Sequence, residues 1–137
     1  MSIIKIIMLT VTFFVMAVST VIASETPIPT DESKLIGKYQ CAGHDPNKNT
    51  DYSNPVIISK LDNAYSFKWL NSSGAAYNYG TGFFNKDLNA MSVVFWAPAN
   101  PNFIGTMLYT VKPDGSLQGI WTIQQTTTVG TENCKKK

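Results

Sequence analysis

Residues 61–70 read LDNAYSFKWL and contain the clearest strand signal in the chain. Tyr65, Phe67 and Trp69 alternate with Ser66 and Lys68, a period of two that is typical of a β-strand with one buried face. The Asp-Asn pair directly before this run is a tight-turn sequence, and a second β-branched segment precedes it. This stretch therefore predicts a β-hairpin with three aromatic side chains on one face.

Seven further segments with strand character follow one another at short spacing, and nothing after the first 23 residues shows a helical period. Short turn sequences at residues 71–74, 85–87 and 113–115 separate several of them. The longest predicted loop, residues 44–54, is rich in Asn, Asp and Lys. The eight predicted strands are 37–43, 55–61, 64–70, 76–84, 89–96, 103–111, 116–123 and 128–135.

Eight strands joined by hairpin-length loops predict an all-β fold, a closed antiparallel up-and-down barrel, because closure removes the exposed edges of a sheet. In such a barrel the first and last strands are neighbours. Cys41 lies in the first predicted strand and Cys134 in the last, so we expect a disulfide between them. An open β-sandwich uses the same number of strands and is the alternative.

The N-terminus indicates export. Residues 1–23 have the features of a secretory signal peptide, with Lys5 before an apolar run and Val21 and Ala23 at the positions before a cleavage site. Residues 24–35 are Pro-rich and polar, which predicts an extended leader, and residues 36–137 form the single barrel domain. We therefore expect a periplasmic or secreted protein with no stable membrane insertion after cleavage.

Charge excludes one class of partner. The sequence has 11 lysines, no arginine and 9 acidic residues, and three of the lysines form the C-terminal tail 135–137. No basic field is available for a nucleic acid, and the guanidinium groups that clamp phosphates in two-pronged fashion are missing. The expected partners are a small hydrophobic ligand or an extracellular protein.

Several motifs resemble a known group of barrels. Gly37-Lys38-Tyr39 is similar to the opening of lipocalin- and avidin-like (calycin-like) barrels. The stretch YTVKPDGSLQGIWT at residues 109–122, with YGTG at 79–82 and Gly130-Thr131-Glu132, resembles small exported bacterial proteins, mostly uncharacterised, some of them labelled fibronectin-binding. The resemblance implies a calycin-like barrel and assigns no catalytic residue.

No catalytic motif is present, and we expect no enzyme, no cofactor and no metal site. The single histidine, His44, precedes Asp45 in a polar segment that offers no further His or Cys ligand. Most acidic residues lie in turns, where they act as turn formers. Glu132 is the exception, because it lies inside the last strand in phase with Cys134. If that face points inward, Glu132 is either a structural tie or the polar anchor of a ligand.

The aromatic residues predict the interior of the barrel, with Phe83 and Phe95 counted among the lining. The leading hypothesis is non-catalytic binding of a small apolar or amphipathic ligand inside the barrel. The alternative is a surface-interaction protein with a solid core, in which the loops 44–54 and 97–102 contact a host or matrix protein. The predicted ligand-binding residues are Tyr65, Phe67, Trp69, Tyr79, Tyr109, Trp121 and Glu132.

Overall fold

The computed structural model describes residues 31–137, which form one closed antiparallel barrel with strands in sequence order. The predicted signal peptide and most of the predicted leader lie outside the described residues. Within residues 31–137 no helix is long and apolar enough to span a bilayer. The strands are β1 (Gly37–Asp45), β2 (Thr50–Leu61), β3 (Ala64–Leu70), β4 (Ala76–Asn85), β5 (Ala90–Ala97), β6 (Asn100–Val111), β7 (Leu117–Ile123) and β8 (Gly130–Lys136).

Pairing between β1 and β8 closes the barrel. Tyr39 lies opposite Lys136, and His44 lies opposite Thr131, so the two strands pair over six residues. Cys41 is directly opposite Cys134, and the two form a disulfide. The predicted barrel and the predicted disulfide are therefore both confirmed, and the alternative of an open sandwich is set aside.

The interior is filled by aromatic side chains that lie over glycines of the next strand. A Cβ built on Gly105 would come within 2.3 Å of the Phe95 ring, and one built on Gly130 would come within 2.3 Å of the Trp121 ring. The two members of each pair are directly opposite in the ladder. Glycine is required there because a side chain of any size would occupy the volume of the ring. Large and small residues thus interlock across neighbouring strands.

A short 3-10 helix, Glu32–Leu35, closes one end of the barrel and is called the plug helix below. Leu35 is 1% exposed, and the Tyr39 hydroxyl donates to the main-chain oxygens of Lys34 at 2.9 Å and Leu35 at 3.1 Å. The expectation of an extended leader through residue 35 is therefore wrong at its end. Burial of Leu35 and the N-cap at Asp31 favour the helical turn over an extended chain.

The first hairpin is longer than predicted. Residues 44–54 do not form a long loop, because β1 continues to Asp45 and β2 begins at Thr50. The ladder is continuous from Gly37 opposite Ile58 to Asp45 opposite Thr50, so only residues 46–49 turn. The pairing overrides the low strand propensity of the Asn and Asp residues in this segment. Residues 97–102 are likewise mostly strand, with a turn at 98–99.

Candidate functional site

A cavity of about 190 Å³ lies inside the barrel at the end opposite the plug helix, next to the β1–β2 turn. This end is called the open end below. Polar side chains form its rim and aromatic side chains form its walls. The lining residues are Asp45, Lys48, Thr50, Tyr52, Asn54, Trp69, Tyr77, Asn78, Phe95, Phe103, Met107, Trp121 and Glu132.

Glu132 forms the floor of the cavity and belongs to a row of paired residues that crosses five strands. Tyr52 of β2 is opposite Gly43, and Gly43 is opposite Glu132 of β8. On the other side Glu132 is opposite Gly119, which is opposite Tyr109. A Cβ on Gly43 or Gly119 would come within 2.5 Å of the tyrosine ring beside it. The two glycines therefore give both tyrosines the space to lean toward the Glu132 carboxylate.

Glu132 is a buried carboxylate held by neutral donors. It is 1% exposed. Trp69 Nε1 lies 3.2 Å from Oε1 and 3.3 Å from Oε2, and the Tyr109 hydroxyl donates to Oε1. Burial raises the pKa of Glu132, and the hydrogen bonds from Tyr109, Trp69 and Tyr52 oppose part of that rise. The carboxyl group is thus satisfied by hydrogen bonds, and no lysine or histidine of residues 31–137 forms an ion pair with it.

The walls form a connected aromatic cluster. The Phe95 ring centroid lies 6.1 Å from that of Trp69, 6.3 Å from that of Trp121 and 5.8 Å from that of Phe103. These are the separations of tilted and edge-to-face ring pairs, which are favourable arrangements. The cavity consequently has rigid apolar walls above a single buried acid.

Most polar groups of the walls are already paired within the protein. Trp121 Nε1 donates to the Tyr52 hydroxyl at 2.9 Å, and that hydroxyl lies 3.2 Å from the Thr131 main-chain oxygen. Asn54 Nδ2 donates to the Tyr77 hydroxyl at 2.7 Å. Burial, with a smaller effect of the Glu132 charge, raises the pKa of Tyr77 to about 12. Both tyrosines are therefore neutral hydroxyls at physiological pH.

Six of the seven predicted site residues lie inside the barrel, in three groups. Trp69, Trp121 and Glu132 line the cavity. Phe67 and Tyr109 lie in the packed interior, where their rings stack with centroids 6.1 Å apart. Tyr65 is buried nearer the plug helix, and its hydroxyl donates to Glu32 Oε2 at 2.8 Å.

Tyr79 lies on the outside of the barrel, so its predicted place in the lining is wrong. Gly80 and Gly82 take inward positions of β4, so the alternating residues Tyr79, Thr81 and Phe83 point outward. Phe83, which was expected in the lining, is 60% exposed for the same reason. A Cβ on Gly80 would meet both the Trp69 ring and Val93 at 3.0 Å, so the volume inside β4 is already occupied from β3 and β5.

Tyr52 and Tyr77 also line the cavity, although neither is among the predicted site residues. Tyr52 was assigned to a loop, although it continues the alternation of Asn54, Val56 and Ile58 backwards along the same face of β2. That period of two across Pro55 is the signal that identifies it. Tyr77 has no such signal, because β4 pairs irregularly with β3 near Leu70.

Two further groups of residues have the side-chain types that metal or acid–base chemistry uses. His44 Nδ1 and Asp51 Oδ1 are 2.8 Å apart across the first hairpin, and the Asp51 side chain is 90% exposed. Ligand-type atoms of Cys41, Glu132 and Cys134 lie within 4.8 Å of one another. Because the two sulfurs are bonded to each other, they do not act as thiolate ligands.

Fold and site together define a closed eight-stranded up-and-down barrel. It is packed at one end, and at the other end it has a cavity with aromatic walls and Glu132 at its floor. Barrels of eight strands have room for packed side chains or for one small ligand. No protein-family model matches the chain, and no curated protein matches it significantly. Its function is therefore inferred from the residues of the cavity and of the barrel surface.

Proposed function

We propose that this protein is an exported, non-catalytic binding protein that holds a small apolar or amphipathic ligand in the open end of its barrel. The observation that carries the proposal is the cavity of about 190 Å³ with Trp69, Trp121 and Phe95 in its walls and Glu132 in its floor. Ligand sites combine apolar walls with a few fixed polar groups in this way. An apolar cavity of about 150 Å³ holds benzene, which sets the scale of the ligand.

Two features support export. The Cys41–Cys134 disulfide is typical of oxidising compartments, and the predicted signal peptide directs a chain to one. A periplasmic or secreted location follows as part of the proposal. The resemblance to lipocalin- and avidin-like barrels agrees with a ligand inside the barrel.

The arrangement of titratable groups favours binding over catalysis. His44 pairs with Asp51 on the outer side of the first hairpin, and Asp45 at the rim has Lys48 Nζ at 3.8 Å. Glu132 therefore has no histidine beside it with which to exchange a proton.

Native mass spectrometry of the protein purified from its own source tests the binding proposal. We expect a retained small mass that is released when the protein unfolds. A cavity-filling variant, Asn78→Phe, should lose that mass, because Asn78 lines the cavity. Asn133→Phe is the matched control, since Asn133 is an exposed residue of β8 outside the cavity. A clean apo mass for the wild-type protein, or equal retention by both variants, would contradict the proposal.

A second candidate function is protein binding through the outer surface of β4–β7. These four strands contain no charged residue, whereas Lys38, Lys60, Lys68 and Lys135 all lie on the other four. Their outer surface carries large exposed apolar side chains, among them Phe83, Val94, Leu108 and Ile120. Contiguous apolar surface of this kind is typical of interaction sites. We propose this surface, in place of the loops 44–54 and 97–102, as the contact region of the alternative function.

Binding to immobilised fibronectin tests this second candidate. The double variant Leu108→Lys/Ile120→Lys places two charges in the middle of the apolar surface and should abolish binding. Ser59→Lys/Ser66→Lys adds the same charges on β2 and β3, where two opposed serines are cross-strand neighbours, and should bind like the wild type. Absence of binding by the wild-type protein would exclude this matrix protein as the partner and remove the candidate.

A further inference from the structure

We infer that the ligand of the open-end cavity is a small organic cation, an ammonium ion on a single-ring or short apolar group, whose nitrogen binds the Glu132 carboxylate. This inference rests on the proposed ligand-binding function and specifies the charge of the ligand. Three observations carry it: the acid in the floor that no lysine of residues 31–137 pairs with, the aromatic walls, and the indole donors of those walls, which are already occupied.

The first observation is the missing counter-charge. Among residues 31–137 the lysine ion pairs go to Asp45 and Glu32, and none goes to Glu132. The hydrogen-bond donors to Glu132 are the neutral groups of Trp69 and Tyr109. Removing a carboxylate from water is costly unless an opposite charge or a proton compensates it. A bound ammonium ion would supply that charge directly at the cavity floor.

The second observation is the nature of the walls. Trp69, Trp121, Phe95 and Tyr52 present aromatic rings to the same small space. The faces of such rings carry partial negative charge and attract cations, and Trp is the strongest of them. Rings and carboxylate therefore favour the same sign of ligand charge.

The third observation concerns the donors that an anionic or strongly accepting ligand would need. The Trp69 indole N–H is bonded to Glu132, and the Trp121 indole N–H is bonded to the Tyr52 hydroxyl. A carboxylate has about four acceptor positions, and Glu132 Oε2 accepts at 3.3 Å from Trp69. The floor thus retains capacity to accept a hydrogen bond, while its indole donors are occupied.

The groups that face Glu132 determine how binding depends on pH. They are Tyr109 on β6, Tyr52 on β2, Tyr77 across the cavity, and Lys48 with Asp45 at the rim. The tyrosines are neutral at physiological pH. Because burial raises the pKa of Glu132, a bound cation must stabilise its ionised form, so cation binding becomes stronger as pH rises through the titration of this acid.

Calorimetric titration of the full-length protein with three probes of similar size tests the inference. The probes are 2-phenylethylammonium, 2-phenylethanol and 3-phenylpropionate, which are positive, neutral and negative. We expect the ammonium ion to bind at least about tenfold more tightly than the alcohol, and the carboxylate to bind most weakly. In Glu132→Gln the ammonium ion should fall to the affinity of the alcohol. Glu32→Gln is the matched control at the other end of the barrel and should retain the preference.

A second measurement does not depend on any variant being folded. The affinity of the wild-type protein for the ammonium ion should rise with pH, while its affinity for the alcohol stays constant. Three results would each overturn the inference of a cationic ligand and leave the proposed binding function intact. They are equal binding of ammonium ion and alcohol, a preference for the ammonium ion that survives in folded Glu132→Gln, and a flat pH profile. Failure of all three probes to bind would overturn both.

Discussion

Two glutamates at opposite ends of the barrel experience opposite environments. Glu32, in the plug helix, receives Lys60 Nζ at 2.6 Å, Lys86 Nζ at 2.8 Å and the Tyr65 hydroxyl at 2.8 Å. The hydrogen bonds from Lys60, Lys86 and Tyr65 lower the pKa of Glu32 to about 2. Glu132, in the cavity floor, is more deeply buried and has neutral partners alone, and burial raises its pKa. One carboxylate is fully compensated by the protein, and the other is not.

The difference supports the proposal that the ligand binds at the open end and not at the plug end. At the plug end, two lysines pair with Glu32 and Leu35 is fully buried. At the open end, the row through Gly43, Glu132 and Gly119 has hydrogen bonds without a counter-charge and lies under empty volume. A fold that only needed closure would place an apolar residue at this position. The predictions below test this difference between the ends.

Removal of the Cys41–Cys134 disulfide, which joins β1 and β8 between the plug end and the open end, is expected to cause the largest loss of stability. Cys41 and Cys134 are 93 residues apart in sequence and lie two positions along their strands from Gly43 and Glu132. A loop of this length contributes about 4–5 kcal/mol to the free energy of unfolding in the chain-entropy model. We expect Cys41→Ala/Cys134→Ala to lose about that amount in urea denaturation. A loss under about 1 kcal/mol would indicate that the pairing of β1 with β8 keeps the barrel closed without the disulfide.

The pairing of β1 with β8 and its disulfide were predictable from sequence because their signals are local or topological. A period of two and short turn sequences identify strands one at a time, and an up-and-down barrel of eight strands necessarily brings the first beside the last. Both cysteines then fall in paired strands. No knowledge of side-chain packing is needed for this step.

The cavity was only partly predictable because it depends on cross-strand pairing. Which face of β4 points inward is decided by the Trp69 ring over Gly80, a contact that no pattern within β4 indicates. Tyr52 was not predicted because the Asn- and Asp-rich segment around it has low strand propensity. Pairing of residues 50–54 with β1 extends β2 through this segment. Glu132 was predictable because it lies in phase with a cysteine expected to point inward, and a charged residue on an inward face is unusual.

The second prediction compares packing at the two ends. Leu35 is fully buried in the plug helix, and Leu35→Ala should lower the free energy of unfolding by about 2–5 kcal/mol, because a buried leucine leaves a cavity. Phe103 is half-buried at the open end, and Phe103→Ala should cost less, about 1–2 kcal/mol. Thermal and urea unfolding measure both. Equal losses would mean that the open end is as tightly packed as the plug end.

The third prediction concerns Glu32 and its two lysines. The folded pKa of about 2 lies below the reference value of 4.5, so ionised Glu32 stabilises the fold above pH 4.5, and this stabilisation disappears as pH falls toward 2. Because the pairs are partly solvated, Glu32→Gln should cost only about 1 kcal/mol at pH 7. Urea unfolding at pH 7 and pH 2.5 measures the difference. A loss that is equal at the two pH values would show that Glu32 contributes through packing instead of charge.

The fourth prediction concerns Glu132→Gln, which should change the free energy of unfolding least at acid pH. Its pH dependence should have the opposite sign to that of Glu32→Gln. Folded Glu132 has a raised pKa, so the wild-type protein loses stability as pH rises from the unfolded-state value of 4.5 toward the folded one. Glu132→Gln has no such titration, and at pH 4 it should differ from the wild type by less than about 0.5 kcal/mol, since both side chains are then neutral. Its relative stability should increase toward pH 8, the reverse of Glu32→Gln between pH 2.5 and 7. Parallel pH profiles for Glu132→Gln and the wild type would mean that the protein already compensates this carboxylate, and the argument for a positively charged ligand would then lose its basis.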